Sequence, residues 1–328
     1  MKALVVREHE DGSFSKSIEE KNIESLPANE VLIKVHYAGL NFKDALSSSG
    51  HKGITKNYPH TPGVDAAGSV VWDATGKFLV EEKVICTSYD LGMNTYGAFA
   101  EYICVPANWI VKLPQSMSLE ESMTLGTAAY TAALALYKME RCGQHSDTGE
   151  IVVTGASGGV GTMAISILTK AGYSVIASSD KVDQYDFLHQ LGAQRCISRS
   201  EVNDQSNRPI LRSRWAGAID NVGGNTLQTL IKGCSKEGCV ASIGLVDSPN
   251  LSLTVYPFIL NGVNLLGIDS AETKMVTRQH IWNKLSDEWR PKNLDIAKRI
   301  VTLDEIPMYM DMMLKGQTSG RIVAKIAN

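Results

Sequence analysis

The strand-like run Ile151 to Thr154 leads into Ala156-Ser157-Gly158-Gly159-Val160-Gly161. Small residues at this spacing suit one kind of chemistry, the close approach of backbone N–H groups to a pyrophosphate at the positive end of a helix. One position makes the tight turn, one lets the backbone reach the phosphate, and one allows the helix to touch the strand. Alanine stands in place of the first glycine of the dinucleotide fingerprint. Read alone, the string also fits a glycine-rich surface turn. Its setting selects nucleotide binding, with a strand before it, a helix after it and a further strand about 20 residues on.

Other chemistries find little support. Cys86, Cys104, Cys142, Cys196, Cys234 and Cys239 are scattered and form no C-x-x-C pair, so reduced thiols are expected and no metal site is. The seven histidines form no constellation with Cys or Asp for nucleophilic catalysis. A formal net charge of −3, with no run of Lys or Arg, argues against nucleic acid as a partner. The opening "MKALVVREHEDG" has too short an apolar run for a secretory signal, and no stretch is long enough to cross a membrane. A cytoplasmic protein acting on a small molecule is expected.

Two domains are needed to position such a loop, and 328 residues suffice for two. Up to about Leu113 the chain reads as short strands separated by turns, among them "NEVLIKVHYAGL", "AAGSVVW" and "GAFAEYICVP", which points to a barrel-like β unit. Ser118 and Glu121 form a capping-box signature ahead of a long run of helix formers. From Ile151 strands and helices alternate, which implies a parallel sheet with helices on both faces. The alternating "SGRIVAKIAN" returns as a strand to the first unit, so the second domain is inserted into the first.

The glycine loop also fits the T-G-x-x-x-G-x-G pattern of short-chain dehydrogenases. Those enzymes use a Tyr-x-x-x-Lys pair, and none of the 11 tyrosines has Lys four residues later. The chain instead resembles the medium-chain dehydrogenase/reductase superfamily over essentially its whole length. "AGLNFKDAL", "PGVDAAGSV", "GAFAEY", "GTAAYTA", the glycine loop and "GRIVAKI" carry the resemblance. It implies an α/β fold in which a GroES-like β-barrel-type catalytic domain (1–124 and 268–328) accompanies a Rossmann-type doubly wound parallel sheet (125–267). Zinc enzymes of the superfamily have a ligand Cys at the position of Asn41 and G-H-E where this chain has Gly63-Val64-Asp65, so the resemblance is to the zinc-free branch. "LNFKDALSSSG", "WAGAIDNVG" and "YPFILNGVNLLGIDS" are similar to the acryloyl-CoA reductases, a group also labelled putative quinone oxidoreductases.

The resemblance implies an NADPH-dependent reductase of a short 2-enoyl-CoA, with a quinone or enone reductase and a non-catalytic NADPH-binding protein as alternatives. Ser157, Gly158, Gly159 and Val160 would hold the pyrophosphate. NAD-selective relatives place an acid where this chain has Ser179. Ser179, Lys181 and Arg199 would therefore read a ribose 2′-phosphate. Asp180 stands beside them, harmless if turned outward and favouring NADH if turned inward. Gly244, Leu245, Ile259 and Ser270 are implied near the nicotinamide end, as are Phe42 and Arg321. Leu245 and Ile259 could equally be strand-end and core residues. Asn41, Lys43 and Asp44 are the implied catalytic polar group, unless Lys43 and Asp44 merely pair to shape the turn. Tyr58 is a loosely aligned proton donor or a packing residue. "VNLLGIDS" reads as an apolar edge strand suited to pairing across a homodimer.

Overall fold

The computed structural model describes residues 1–327. In chain order the elements are β1 (Lys2–Glu8), β2 (Phe14–Glu20), β3 (Val31–Leu40), α1 (Phe42–Ser48), β4 (Asp65–Asp73), β5 (Lys83–Thr87), β6 (Tyr102–Val105), β7 (Ile110–Lys112) and α2 (Leu119–Arg141). They continue with β8 (Ile151–Thr154), α3 (Gly159–Lys170), β9 (Val175–Ser178), α4 (Tyr185–Gln190), β10 (Arg195–Ile197), β11 (Trp215–Asp220), α5 (Gly224–Lys232), β12 (Cys234–Ser242), α6 (Tyr256–Asn261) and β13 (Asn264–Gly267). The last are α7 (Met275–Ser286), α8 (Leu294–Ala297), β14 (Lys298–Thr302), α9 (Ile306–Leu314) and β15 (Arg321–Lys325).

The chain divides into two compact units. The first comprises Met1–Thr127, Ala271–His280 and the segment from Ala297 onward; the second comprises Ala128–Ser270 and Ile281–Ile296. Residues 281–296, read from the sequence with the first unit, cluster with the second. Among the described residues no helix is long and apolar enough to cross a membrane, and all six cysteines are free.

The first unit is built on a seven-stranded sheet ordered β14-β15-β3-β4-β5-β7, with β6 also paired to β3, and on the antiparallel hairpin β1-β2. Alternation along β3 puts Val31, Ile33 and Val35 into a core shared with Leu4, Val84, Phe99 and Ile103. The long β3 occupies the middle of the sheet and pairs antiparallel with both β4 and β15. The C-terminal strand thus joins the N-terminal sheet, as the alternation in "SGRIVAKIAN" predicts. The α2 cap also forms as the sequence predicts: the Ser118 N–H donates to Glu121 at 2.9 Å and the Glu121 N–H to Ser118 Oγ at 3.1 Å. The helix then breaks at Gly126, whose φ of 51° and ψ of −158° lie outside helical geometry.

The second unit is a six-stranded sheet ordered β10-β9-β8-β11-β12-β13, parallel at every pairing. Numbered within the unit this is 3-2-1-4-5-6, the doubly wound order. Its strands are apolar on both faces: Val152, Ile176, Ala218 and Val240 on one and Val153, Ala177, Ile219 and Ala241 on the other are all fully buried. Strand order reverses between β8 and β11, so a crevice for a ligand is expected beyond the carboxyl ends of those two strands.

Candidate functional site

In the first unit, three neighbouring strands deliver three polar side chains to one end of the sheet. Register pairs Leu40 with Ile322 and Gly39 with Asp65, so Asn41 after β3, Asp65 at the start of β4 and Arg321 at the start of β15 are adjacent. Asp65 is fully buried and Arg321 is 2% exposed, an ion pair at 3.4 Å. Arg321 Nε donates to the Thr124 carbonyl, Nη1 to the Leu40 carbonyl and Asn41 Oδ1, and Nη2 to Asp65 Oδ2 and the Met123 carbonyl. These partners account for all five guanidinium hydrogens. Asn41 Nδ2 donates to Asp65 Oδ2 at 2.7 Å and to the Gly39 carbonyl at 3.2 Å, which uses both amide hydrogens. Asp65 also accepts from the Thr127 N–H and hydroxyl, and the Thr127 hydroxyl meets Ser88 Oγ.

Two glycines make room for it. A Cβ on Gly126 would lie 2.4 Å from Asp65 Oδ2 and 2.7 Å from Arg321 Nη2, and one on Gly39 would lie 2.8 Å from Arg321 Nη2. Asp44, fully buried on α1, looks the other way: Oδ1 accepts from the Gly63 and Val64 N–H groups at 3.0 Å each, and Oδ2 from the Asn41 N–H at 2.8 Å. Its partners are backbone, and Lys43 is not among them. Burial pushes the Asp44 carboxyl up to about 7, with the charge of Asp65 adding to the effect.

The remaining residues singled out in this unit differ in what they have free. Lys43 is half-buried and, among the described residues, makes no hydrogen bond or ion pair. Phe42 beside it is 46% exposed. The Tyr58 hydroxyl donates to the Ser47 carbonyl at 2.6 Å, and the ring packs edge-on against Phe14 with Lys52 over its face. Burial raises the Tyr58 pKa. Asp65, Thr127, Gly39 and Gly126 are members of the network that the sequence does not single out as site residues, because their shared contacts join positions far apart in the chain.

In the second unit the glycine loop crosses the carboxyl end of β8 at the reversal of strand order. Thr154 Oγ1 donates to Asp220 Oδ1 at 2.6 Å, and Asn221 Nδ2 to the Thr154 carbonyl at 2.8 Å, which ties the ends of β8 and β11 together. Burial raises the Asp220 pKa, opposed by Thr154 and by the N–H groups of Val222 and Gly223. A Cβ on Gly161 would lie 2.3 Å from the Gly155 carbonyl oxygen, and one on Gly244 2.3 Å from that of Asn221, so neither position tolerates a side chain. Gly158 is the N-cap of the 12-residue α3 and supplies no side-chain cap. The loop is exposed at Gly155 and Gly158. First-turn N–H groups without a side-chain cap, on a loop exposed at two glycines, fit a pyrophosphate. Ser157, Gly158, Gly159 and Val160 are the residues that would hold it.

Around the end of β9, Ser179 is buried and its Oγ accepts from the Lys181 N–H at 3.1 Å. Asp180 is exposed, and its Oδ1 accepts from the Arg199 N–H at 2.8 Å. Ser179, Asp180, Lys181 and Arg199 therefore share one corner of the sheet. Leu245 and Ile259 are 63% and 67% exposed, which removes the core role for both. Ser270 Oγ accepts from Thr131 Oγ1 at 2.8 Å.

Two measurements test the first-unit network. Arg321→Met leaves Asp65 buried without its cation and is expected to cost about 3–5 kcal/mol in urea unfolding, while Arg321→Met combined with Asp65→Asn costs less than the sum of the two single changes. Additive costs would show that the pair is not coupled. Asp44, held above its unfolded value of about 4, stabilises the fold most at low pH and loses that contribution as pH rises to about 7. The stability of the wild type relative to Asp44→Asn should therefore shrink between pH 5 and pH 8. A difference that grows with pH would mean that the three N–H donors favour the anion.

Comparison with known proteins agrees with both units. Residues 27–115 match the alcohol dehydrogenase GroES-like domain, and residues 159–287 match the zinc-binding dehydrogenase domain. The chain is 42% identical over 304 residues to the putative quinone oxidoreductase YhfP of Bacillus subtilis, covering 92% of each chain. It is 36% identical over 326 residues to the probable acrylyl-CoA reductase AcuI of Escherichia coli, covering 99% of this chain and all of that one. Among solved structures, the yhdH oxidoreductase of Salmonella enterica in complex with NADP superposes with a TM-score of 0.96 at 38% identity over the full length of both chains. Bacillus subtilis yhfP with NAD bound gives 0.96 at 40%, covering 99% of this chain and 98% of that one. The GroES-like first unit, the doubly wound second unit and the full-length likeness to these relatives place the chain in the medium-chain dehydrogenase/reductase superfamily, in its quinone oxidoreductase and acrylyl-CoA reductase branch.

Proposed function

We propose that the chain is an NADPH-dependent reductase of a short 2-enoyl-CoA, acryloyl-CoA first, working without zinc. One observation carries the reading: an uncapped helix N-terminus stands on a glycine-rich loop at the strand-order reversal, in a chain whose relatives include the acrylyl-CoA reductase AcuI. The coenzyme, when bound, supplies a hydride for the β-carbon of the conjugated thioester. Ser157 to Val160 offer N–H groups to its pyrophosphate. Ser179, Lys181 and Arg199 suit the 2′-phosphate, while Leu245, Ile259 and Ser270 suit the nicotinamide end. Of the solved relatives, Salmonella enterica yhdH is in complex with NADP and Bacillus subtilis yhfP has NAD bound.

Reduction at the β-carbon gathers negative charge on the thioester oxygen, and donors placed there lower the barrier. Asn41, Asp44 and Arg321 are committed to one another, to Asp65 and to backbone, so their part is to hold α1 and the strand ends in place. Tyr58 has its proton directed at Ser47 and is a weakened acid. That leaves Lys43, whose ammonium has no partner among the described residues, as the catalytic cation of the set. The same network supports a zinc-free reading: the oxygens of Asp65, at the acid position of the G-H-E segment, already accept from Arg321, Asn41 and Thr127. Among the described residues no three His, Cys, Asp or Glu side chains converge.

A quinone oxidoreductase using the same coenzyme is the second reading, favoured by the likeness to YhfP. NADPH oxidation with acryloyl-CoA should exceed that with a simple quinone, should be unaffected by EDTA, and should fall by about 100–1,000-fold in kcat in Lys43→Met with coenzyme Kd unchanged. Turnover of the quinone but not of the thioester would select the second reading; binding without turnover of any acceptor would make this a coenzyme-binding protein.

A homodimer and a cytoplasmic location belong to the same proposal. The free cysteines suit a reducing compartment. Among the described residues strand β13 pairs only with β12, and its other edge, with Leu265 exposed, is suited to a second copy. Light scattering is expected to give twice the chain mass, and a monomer at micromolar concentration would overturn that part.

A further inference from the structure

Coenzyme choice in a doubly wound sheet is made at the end of its second strand, which here is β9. An acid at that point ordinarily accepts hydrogen bonds from the ribose hydroxyls and so selects the coenzyme without a 2′-phosphate. Ser179 stands at that point in this chain, and Asp180 is the acid next to it, two residues past the end of β9. Its geometry is different. The Asp180 carboxylate caps the 3-10 turn Arg199–Val202 by accepting the Arg199 N–H at 2.8 Å, a turn whose own N-cap, Ser198, supplies no side-chain cap. The Arg199 side chain is exposed and, among the described residues, makes no hydrogen bond or ion pair, so its guanidinium is available to an anion. The capped turn fixes where Arg199 leaves the backbone. The same carboxylate puts a negative charge beside that anion.

We propose that Asp180 is a positioning residue with two opposed effects: it sets Arg199 as the reader of a ribose 2′-phosphate, and its charge weakens the phosphate's binding, so that the chain accepts both NADPH and NADH. The opposition follows from charge. A 2′-phosphate is repelled by Asp180 and attracted by Arg199, whereas a ribose hydroxyl is neutral and feels little of either. The inference rests on the nicotinamide-coenzyme reading given above.

Adenosine 2′,5′-bisphosphate and AMP isolate the ribose site from the chemistry, and both can be titrated calorimetrically into the full chain. Asp180→Asn keeps an acceptor for the Arg199 N–H and deletes the charge. It should tighten the bisphosphate by about threefold to tenfold and leave AMP unchanged. Asp180→Ala deletes charge and acceptor together and should gain less than Asp180→Asn, since the turn that carries Arg199 is then uncapped. Arg199→Gln should weaken the bisphosphate about tenfold without affecting AMP. All three changes are at exposed side chains. Weaker AMP binding in Asp180→Asn would show that Asp180 reads the ribose hydroxyls, and unchanged bisphosphate binding would show that its charge does not reach the site; either overturns the inference. An equal gain in Asp180→Ala would overturn the positioning role. Wild-type protein that binds neither nucleotide would instead overturn the coenzyme reading itself.

Discussion

The first unit depends on a buried cation and anion that must satisfy each other completely. Arg321 and Asp65 have almost no solvent, and desolvating two charges costs several kcal/mol for each ion, which their attraction offsets only when every remaining donor and acceptor is filled. That requirement reaches far along the chain. It fixes the register of β3 against both β4 and β15, recruits Asn41 as the bridge between the two charges, and draws in the carbonyls of Met123 and Thr124 on α2 as acceptors. It also excludes any side chain at Gly39 and Gly126, so that α2 must break where the pair needs room. A slip of β15 by one residue would turn Arg321 to the other face and leave Asp65 buried alone.

The second unit has a different organising constraint, the exclusion of side chains instead of the pairing of charges. Gly161 and Gly244 bring backbone against backbone, and Asn221 and Thr154 tie the two strands on either side of the reversal. The result is a rigid rim of main-chain donors. Rigid donors need no reorganisation when an anion arrives, which is what a loop that must hold a pyrophosphate requires.

Much of this is legible in the sequence wherever the signal is local. The glycine loop, the alternating strands and helices after Ile151, the Ser118–Glu121 cap and the returning C-terminal strand each depend on residues within a short window, and each forms as read. The long-range partners are not legible. The missing metal ligands at Asn41 and in Gly63-Val64-Asp65 are visible, but nothing local says that the Asp65 carboxylate meets Arg321, 256 residues away, or Thr127 on the broken helix. Asp44 illustrates the same limit, because its neighbour Lys43 is the obvious partner in one dimension, whereas in three its oxygens are filled by the N–H groups of residues 41, 63 and 64. Helix α7 lies in a stretch without a clean 3.6-residue signal; its hydrophobic pattern is almost isotropic and includes the fully buried Arg278 and Trp282.

The network also explains why losing a metal at this position need not be a simple deletion. The resembled zinc enzymes have a ligand Cys where this chain has Asn41 and a His where it has Val64; here the guanidinium of Arg321 balances Asp65, and Asn41 bridges the two. Restoring Cys at position 41 would not recreate a metal site, because Arg321 would still occupy the lone pairs of Asp65 and would lose the acceptor that Asn41 Oδ1 provides. Several positions would have to change together, each intermediate leaving a buried charge or donor unpaired. A fully satisfied polar network is in this sense self-locking: the completeness that makes it tolerable in a dry interior also separates it from its metal-bearing alternative.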